Sequence, residues 1–175
     1  METTYPLWAL PGKGSHRIII ISLLLSCGII LHLAESLVLF PWIPVRIGLA
    51  NVVILIAFEL GGPLFACEVG ILRLFGSGII LGTLFQIPFW LGAAGLASGL
   101  IVMGILFKVT GSYISVLGIS VWGAVSHMAA QIFVVSLWLE AGTGYLWVSL
   151  LSLAVVGGMV TGLLALIFLG VLKRP

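Results

Sequence analysis

Long apolar stretches, separated by short segments that contain Pro or Gly, constrain the fold of this chain more than any other feature. Of its 175 residues, 62% are hydrophobic and only 7% are charged, whereas about 25% of the residues in an ordinary soluble domain carry a charge. A spanning helix needs about 20 apolar residues to cross a hydrocarbon core of roughly 30 Å. The sequence therefore excludes a soluble globular fold and predicts an all-α integral membrane protein.

Six transmembrane helices are predicted from the apolar stretches and the breakers between them. They cover residues 18–39, 46–60, 63–82, 89–107, 113–139 and 145–172. The first stretch is too long for the h-region of a signal peptide. We therefore expect a cytoplasmic N-terminal segment over residues 1–17, one six-helix transmembrane domain over 18–172 and a cytoplasmic tail over 173–175.

Basic residues in the loops predict the orientation of the helices. One side of the predicted topology holds Lys13, Arg17, Lys108, Lys173 and Arg174, and the other side holds Arg46. Positively charged loops favour the cytoplasmic side, so both termini are expected there. Aromatic rings that prefer the membrane interface fall at the predicted outer helix ends, namely Trp42, Trp90, Trp138 and Trp147.

Small residues four positions apart predict close packing between helices, because lipid tails provide no hydrophobic drive for helix association. The pairs are Gly78 and Gly82, Gly95 and Gly99, and Gly158 and Gly162. Ser22 and Ser26 repeat this spacing in the first helix, where they are candidates for contact with another protein. Cys27 and Cys67 lack metal-ligand or redox spacing and are expected to be small buried residues.

Several functions are excluded by what the sequence lacks. A net charge of +2 without a run of basic residues argues against nucleic acid as a partner. The chain contains no Asp, so it cannot supply the Asp-rich magnesium site of a prenyltransferase. Residues 11–15 resemble a phosphate-binding loop but lack the spacing of a Walker motif. We therefore expect no catalysis by the chain alone, and no metal site.

Polar residues in the predicted spans are the candidate functional groups, because a charge inside a membrane costs several kcal/mol and tends to face a protein interior or a pathway. Glu35 and Arg46 bracket a segment broken by two prolines, and Asn51 follows it. These residues either close the loop by an ion pair or contact a polar or anionic ligand. Glu59 and Glu68 flank the next turn, where solvation is the simpler explanation.

Two further spans carry polar residues at depth. Arg73 lies about ten residues into the third span, and Ser120, Ala124, His127 and Gln131 form one small and polar stripe on the fifth. We expect Glu35, Arg46, Asn51, Arg73, His127 and Gln131 to converge on an outward-opening cavity covered by Trp42. The cavity would hold an anionic or carbonyl-bearing ligand. The alternative is a closed polar network that only fixes helix packing.

Residues 41–51, PWIPVRIGLAN, resemble the segment that follows the first helix in the Gx transporter family, also called heptaprenyl diphosphate synthase component I. Arg73, residues 95–98 with Met103, and residues 115–127 with Gln131 extend the resemblance over about residues 18–170. The chain departs from the family pattern at Met128, where an Asn is expected, and in residues 84–88.

The resemblance implies a six-helix bundle similar to the substrate-binding S components of energy-coupling-factor transporters. Such a protein of the bacterial cytoplasmic (inner) membrane would bind a small molecule and work with a transmembrane coupling protein and ATPases, with Ser22 and Ser26 matching the docking surface by size. A second implication is a membrane subunit of a flavin- or quinone-linked electron-transfer system. A third is a noncatalytic subunit for polyprenyl diphosphate synthesis. The residues themselves require no cofactor.

Overall fold

Five α-helices make up the regular structure of the residues that the computed structural model describes, 14–38, 48–110, 115–138 and 144–172. They are α1 (Gly14–Val38), α2 (Asn51–Ile80), α3 (Ile87–Thr110), α4 (Val116–Trp138) and α5 (Gly144–Leu172). Each contains a segment long and apolar enough to cross a membrane. The prediction of an all-α, multi-pass membrane protein is therefore confirmed.

Helix α2 is broken at Gly62 and folds back on itself. Gly62 has φ 78° and ψ −171°, and Pro63 follows it. A Cβ placed on Gly28 of α1 would lie 3.6 Å from Val53 and 3.1 Å from Arg73. In a straight helix these two residues would be roughly 30 Å apart along the axis, so both can reach Gly28 only because α2 forms a hairpin.

The two arms of this hairpin, residues 51–61 and 63–80, correspond to the second and third predicted spans. The first arm is about 16 Å long at 1.5 Å per residue, shorter than a hydrocarbon core. The part of the chain that the structure describes thus has five helices, one of them broken, and six complete spans remain a prediction.

Contacts along the helices give their relative directions. Arg17 pairs with Glu68 near one end of α1, and Gly28 meets Arg73 further along, so α1 runs parallel to the second arm of α2. Helix α3 is antiparallel to that arm and to α4, and α5 is antiparallel to α4. The start of α1 and the end of α5 consequently lie at the same end of the bundle.

The three predicted glycine pairs differ in what they contact. A Cβ on Gly95 or Gly99 would contact α4, and one on Gly158 or Gly162 would meet the α4 backbone, as predicted. Gly82 instead ends α2 with φ 65°: its own N–H donates to Ile79, and the next N–H donates to Gly78 at 2.9 Å. This is the Schellman arrangement, for which glycine is favoured, so the packing prediction is wrong for Gly82.

The first arm of α2 lies at the centre of the bundle. Residues 52–58 are all buried, which fits a helix that is apolar on every side. By contrast, α1 is largely exposed, and Cys27 lies on its exposed face while Cys67 is half-buried. The expectation that both cysteines are buried is therefore wrong, since α1 packs mainly along α2 and leaves its other face open.

Charged and aromatic residues separate between the two ends as expected. Arg17 and Lys108 lie at the end that holds the Gly62 turn, whereas Trp90 and Trp147 lie near the opposite end. The structure does not describe Lys13, Trp42, Arg46, Lys173, Arg174 or the Trp138 side chain. Which end faces the cytoplasm remains a prediction.

Candidate ligand-binding site

A cavity lies in the half of the bundle that contains the last turns of α1 and the first turns of α3. The cavity is open to the surface, and the empty space in it and in front of its mouth is together about 810 Å³. All five helices and the turn after α2 contribute to it. Its polar lining consists of His32, Glu35, Asn51, Arg73, Ser77, Thr83, His127 and Gln131. We call this space the upper cavity.

The upper cavity gathers the described members of the predicted site. Glu35, Asn51, Arg73, His127 and Gln131 all line it. Trp42 and Arg46 lie outside the described residues, so their part in the site remains a prediction.

Glu35 fastens the end of α1 to the start of α2. Its side chain is 3% exposed, and Oε1 accepts a hydrogen bond of 2.5 Å from the backbone N–H of Gly48. Gly48 has φ 84°, a conformation that favours glycine. Its carbonyl accepts from the N–H of Asn51 at 2.8 Å, which begins α2. The carboxylate therefore helps to position Asn51 at the cavity wall.

Arg73 extends from the second arm of α2 past α1 and is only 7% exposed. The absence of a side chain on Gly28 makes this path available, because a Cβ there would lie 3.1 Å from Cδ of Arg73. One turn later, the Ser77 hydroxyl donates to the Arg73 carbonyl at 2.8 Å. The aliphatic part of the Arg73 side chain is thus buried and closely packed, and it holds the guanidinium beside the cavity.

His127 is fixed between α3 and α4. A Cβ on Gly95 would lie 2.5–2.7 Å from three atoms of the imidazole ring, so the ring packs directly on the α3 backbone. Gln131 lies 3.1 Å from Nε2 of His127, and its amide nitrogen also donates to the Leu91 carbonyl at 3.4 Å.

The predicted polar stripe on α4 divides into two parts. Ala124, His127 and Gln131 line the upper cavity, whereas Ser120 is buried and forms a 2.9 Å hydrogen bond with Thr161 of α5. Ser120 therefore belongs to helix packing rather than to this cavity.

Other predicted residues lie away from the upper cavity. Glu68 forms an ion pair with Arg17 at the opposite end of the bundle, and Glu59 is half-buried there. Glu68 is thus partly exposed to solvent, as expected, and its carboxylate also pairs with Arg17. Ser22 and Ser26 are exposed on α1.

The sequence interpretation did not assign His32, Ser77, Thr83 or Phe89 to the site, although all of them line the cavity. His32 was detectable, because it precedes Glu35 by three residues and so shares its helix face. Ser77 follows Arg73 by four residues and gave the same signal. Thr83 and Phe89 gave no such signal in the sequence, because it is the turn between α2 and α3 that brings them to the cavity.

Comparison with protein families gives a match over most of the chain. A family model described as heptaprenyl diphosphate synthase component I matches residues 24–168, which include every residue that lines the upper cavity. No curated protein and no solved structure matches the chain. Within the part of the chain that the structure describes, no group of three or more His, Cys or Glu side chains could hold a metal ion.

Proposed function

Because the chain belongs to the heptaprenyl diphosphate synthase component I family, we propose that it is a membrane-embedded subunit that binds a small molecule in the upper cavity and works with partner subunits. The transport form of this proposal is a substrate-binding subunit similar to an S component. Separate coupling and ATPase subunits would then drive uptake.

The single observation that carries the proposal is the convergence of polar side chains from separate helices on one open space. Glu35 comes from α1, Asn51 and Arg73 from the two arms of α2, and His127 and Gln131 from α4. Polar and charged groups are costly to bury in a membrane protein. Their convergence on an open space therefore favours a polar ligand that hydrogen-bonds to several of them.

The residues favour a ligand with an anionic or carbonyl group. A guanidinium binds carboxylates and phosphates through a planar set of donors, and the Asn51 and Gln131 amides add donors and acceptors beside it. Glu35 already accepts the Gly48 N–H. In this proposal Glu35 therefore acts on the ligand mainly by positioning the start of α2, while Arg73, His127 and Gln131 contact it.

The proposal includes an orientation and a partner surface. The upper cavity would open on the outer side of a bacterial cytoplasmic membrane, because the opposite end carries Arg17 and Lys108. Ser22 and Ser26 lie on the exposed face of α1 and would contact a transmembrane partner. Small residues there allow close approach of another helix.

A second candidate function is a noncatalytic subunit for polyprenyl diphosphate synthesis, which the description of the matching family favours. In that case the cavity would hold a prenyl diphosphate or a lipid-like precursor, and the partner would be a catalytic synthase subunit. The absence of Asp from the sequence is consistent with catalysis by the partner.

Native mass spectrometry of the purified protein, released from detergent under mild conditions, distinguishes these functions by the compound that the protein retains. Retention of a small polar or vitamin-like compound supports the transport form of the proposal. Retention of a prenyl diphosphate supports the synthase-subunit form. Retention of flavin or quinone would overturn both and indicate electron transfer.

A further inference from the structure

Glu35 and Arg73 supply opposite charges to the lining of the upper cavity. Their side chains are 3% and 7% exposed, so both charges are buried in the bundle. The other polar residues of the described lining are uncharged amides, hydroxyls and imidazoles, among them Asn51, His127 and Gln131. With the imidazoles neutral, the formal charges of the described lining therefore cancel.

The beginning of α2 is also matched by a carboxylate of the protein itself. The N-terminal end of a helix carries partial positive charge and attracts anions. Here Glu35 accepts the N–H of Gly48, and the N–H groups of Asn51 and Val52 donate to the carbonyls of Gly48 and Leu49. These three N–H groups are thus used within the protein, and an anion that approached them would meet the Glu35 carboxylate.

An anionic ligand would disturb this balance of charge. It would share the upper cavity with the Glu35 carboxylate, and like charges repel strongly where water is scarce. A diphosphate carries several negative charges and would meet the strongest repulsion. An uncharged carbonyl or amide group can instead accept from Arg73 and exchange hydrogen bonds with Asn51 and Gln131 without adding charge.

We propose that Glu35 sets the charge selectivity of the upper cavity. Its carboxylate offsets the positive charge of Arg73 and of the α2 N-terminus, so that the cavity binds an uncharged ligand with a carbonyl or amide group and discriminates against anions. This inference rests on the proposed function of the upper cavity. It chooses between the two ligand classes, anionic and carbonyl-bearing, that the lining favours.

Acetamide and acetate test this inference, because they have nearly the same size and shape and differ in charge. Each is titrated against the full chain in nanodiscs of phosphatidylcholine, a lipid without net charge, at constant ionic strength. Saturation-transfer NMR of the methyl group of each probe gives its dissociation constant. The wild-type protein should bind acetamide about tenfold more tightly than acetate, or better, because of the repulsion by Glu35.

Glu35→Gln removes the negative charge and keeps an oxygen that can accept the Gly48 N–H. Arg73 and the α2 N-terminus should then favour the anion, so the preference for acetamide over acetate should fall about tenfold or reverse. Glu68→Gln makes the same change at the opposite end of the bundle and should keep the wild-type preference. A role of Glu35 in packing alone would change both affinities together and leave their ratio as it is.

The outcomes separate this inference from the proposed function. An unchanged ratio in Glu35→Gln, or a wild-type protein that binds acetate at least as tightly as acetamide, would overturn the selectivity inference alone. If Glu35→Gln does not fold, the wild-type ratio decides. Equal binding of acetamide by the wild type and by Arg73→Met would overturn the upper cavity as the polar site, and a failure of both probes to bind would overturn the site and the inference together.

Discussion

At the scale of single residues, two glycines determine where the principal polar side chains of the upper cavity lie. The Arg73 side chain passes close to Gly28, which has no side chain to block it. The His127 ring packs against the backbone at Gly95 for the same reason. The sequence identified Arg73 and His127 by their polarity at depth in apolar spans. It could not pair each with its glycine, because that requires the register between neighbouring helices. Gly95 was predicted only as part of a packing pair.

Gly95→Ala should displace His127 from its position beside Gln131. The new methyl group would lie 2.5–2.7 Å from the ring, and overpacking of this kind typically costs 1–3 kcal/mol. We expect a lower free energy of unfolding and at least a tenfold weaker binding of the retained ligand. Chemical denaturation and equilibrium binding measure the two effects.

A double-mutant cycle with His127→Ala shows whether the methyl group acts through the ring. If it does, Gly95→Ala should cost much less stability in the His127→Ala background. An equal cost in both backgrounds would show that Gly95 does not act by positioning His127.

At the scale of the elements, the hairpin of α2 places Asn51 beside Arg73. The sequence predicted the break from Gly61, Gly62 and Pro63. It did not predict that the helical first arm begins at Asn51 and is buried on all sides, since burial depends on how the other helices surround it. The break is a local property of the chain, whereas the surroundings of the arm are not.

Gly62→Ala should destabilise this hairpin. Its φ of 78° with ψ of −171° belongs to a region that is essentially restricted to glycine, and a side chain there costs about 1–3 kcal/mol. Denaturant unfolding in mild detergent should show a loss of this size. Gly104→Ala is the control, because it adds a methyl group within a helix where nothing lies near. An unchanged or increased stability of Gly62→Ala would contradict the role of this turn.

At the scale of the whole molecule, the directions of the helices predict which residues share a side of the membrane. In a variant without Cys27 and Cys67, single cysteines at Arg17 and Lys108 should react with an impermeant thiol reagent from the cytoplasmic side. A cysteine at Trp147 should react from the outside. Labelling intact cells and inverted vesicles checks this. Reaction of positions 108 and 147 from the same side would be incompatible with the topology.

The exposed face of α1 gives a second prediction at this scale. Replacing Ser22 and Ser26 together by Leu should abolish co-purification with a transmembrane partner, because the added bulk prevents close approach of helices. Ligand retention and melting temperature should stay unchanged. Ala34→Leu, an exposed small residue further along α1, is the matched control. Undiminished co-purification of the double variant would rule out this surface.

The sequence thus predicted an all-helical membrane protein and five of the polar residues that line the upper cavity, and the reason is energetic. Exposing a charged or polar side chain to lipid costs free energy, so such groups in apolar spans tend to face the interior of the bundle. This cost is enough to predict that Arg73 and His127 share one interior space. The contribution of Phe89 and Thr83 depends on the turn between α2 and α3, which leaves no such pattern in the sequence.

The central claim is that the upper cavity binds a ligand through Arg73, and the most direct test compares Arg73→Met with Arg17→Met. Both variants lose a guanidinium, but Arg17 lies at the opposite end of the bundle in an exposed ion pair that contributes little to stability. Equilibrium binding of the compound retained by the wild-type protein is the measurement. We predict that Arg73→Met weakens binding about 10- to 100-fold, as expected for the loss of a hydrogen bond to a charged group, and that Arg17→Met binds as the wild type does. Unchanged affinity in Arg73→Met, with or without a lower melting temperature, would contradict the account and leave the polar residues as a packing network.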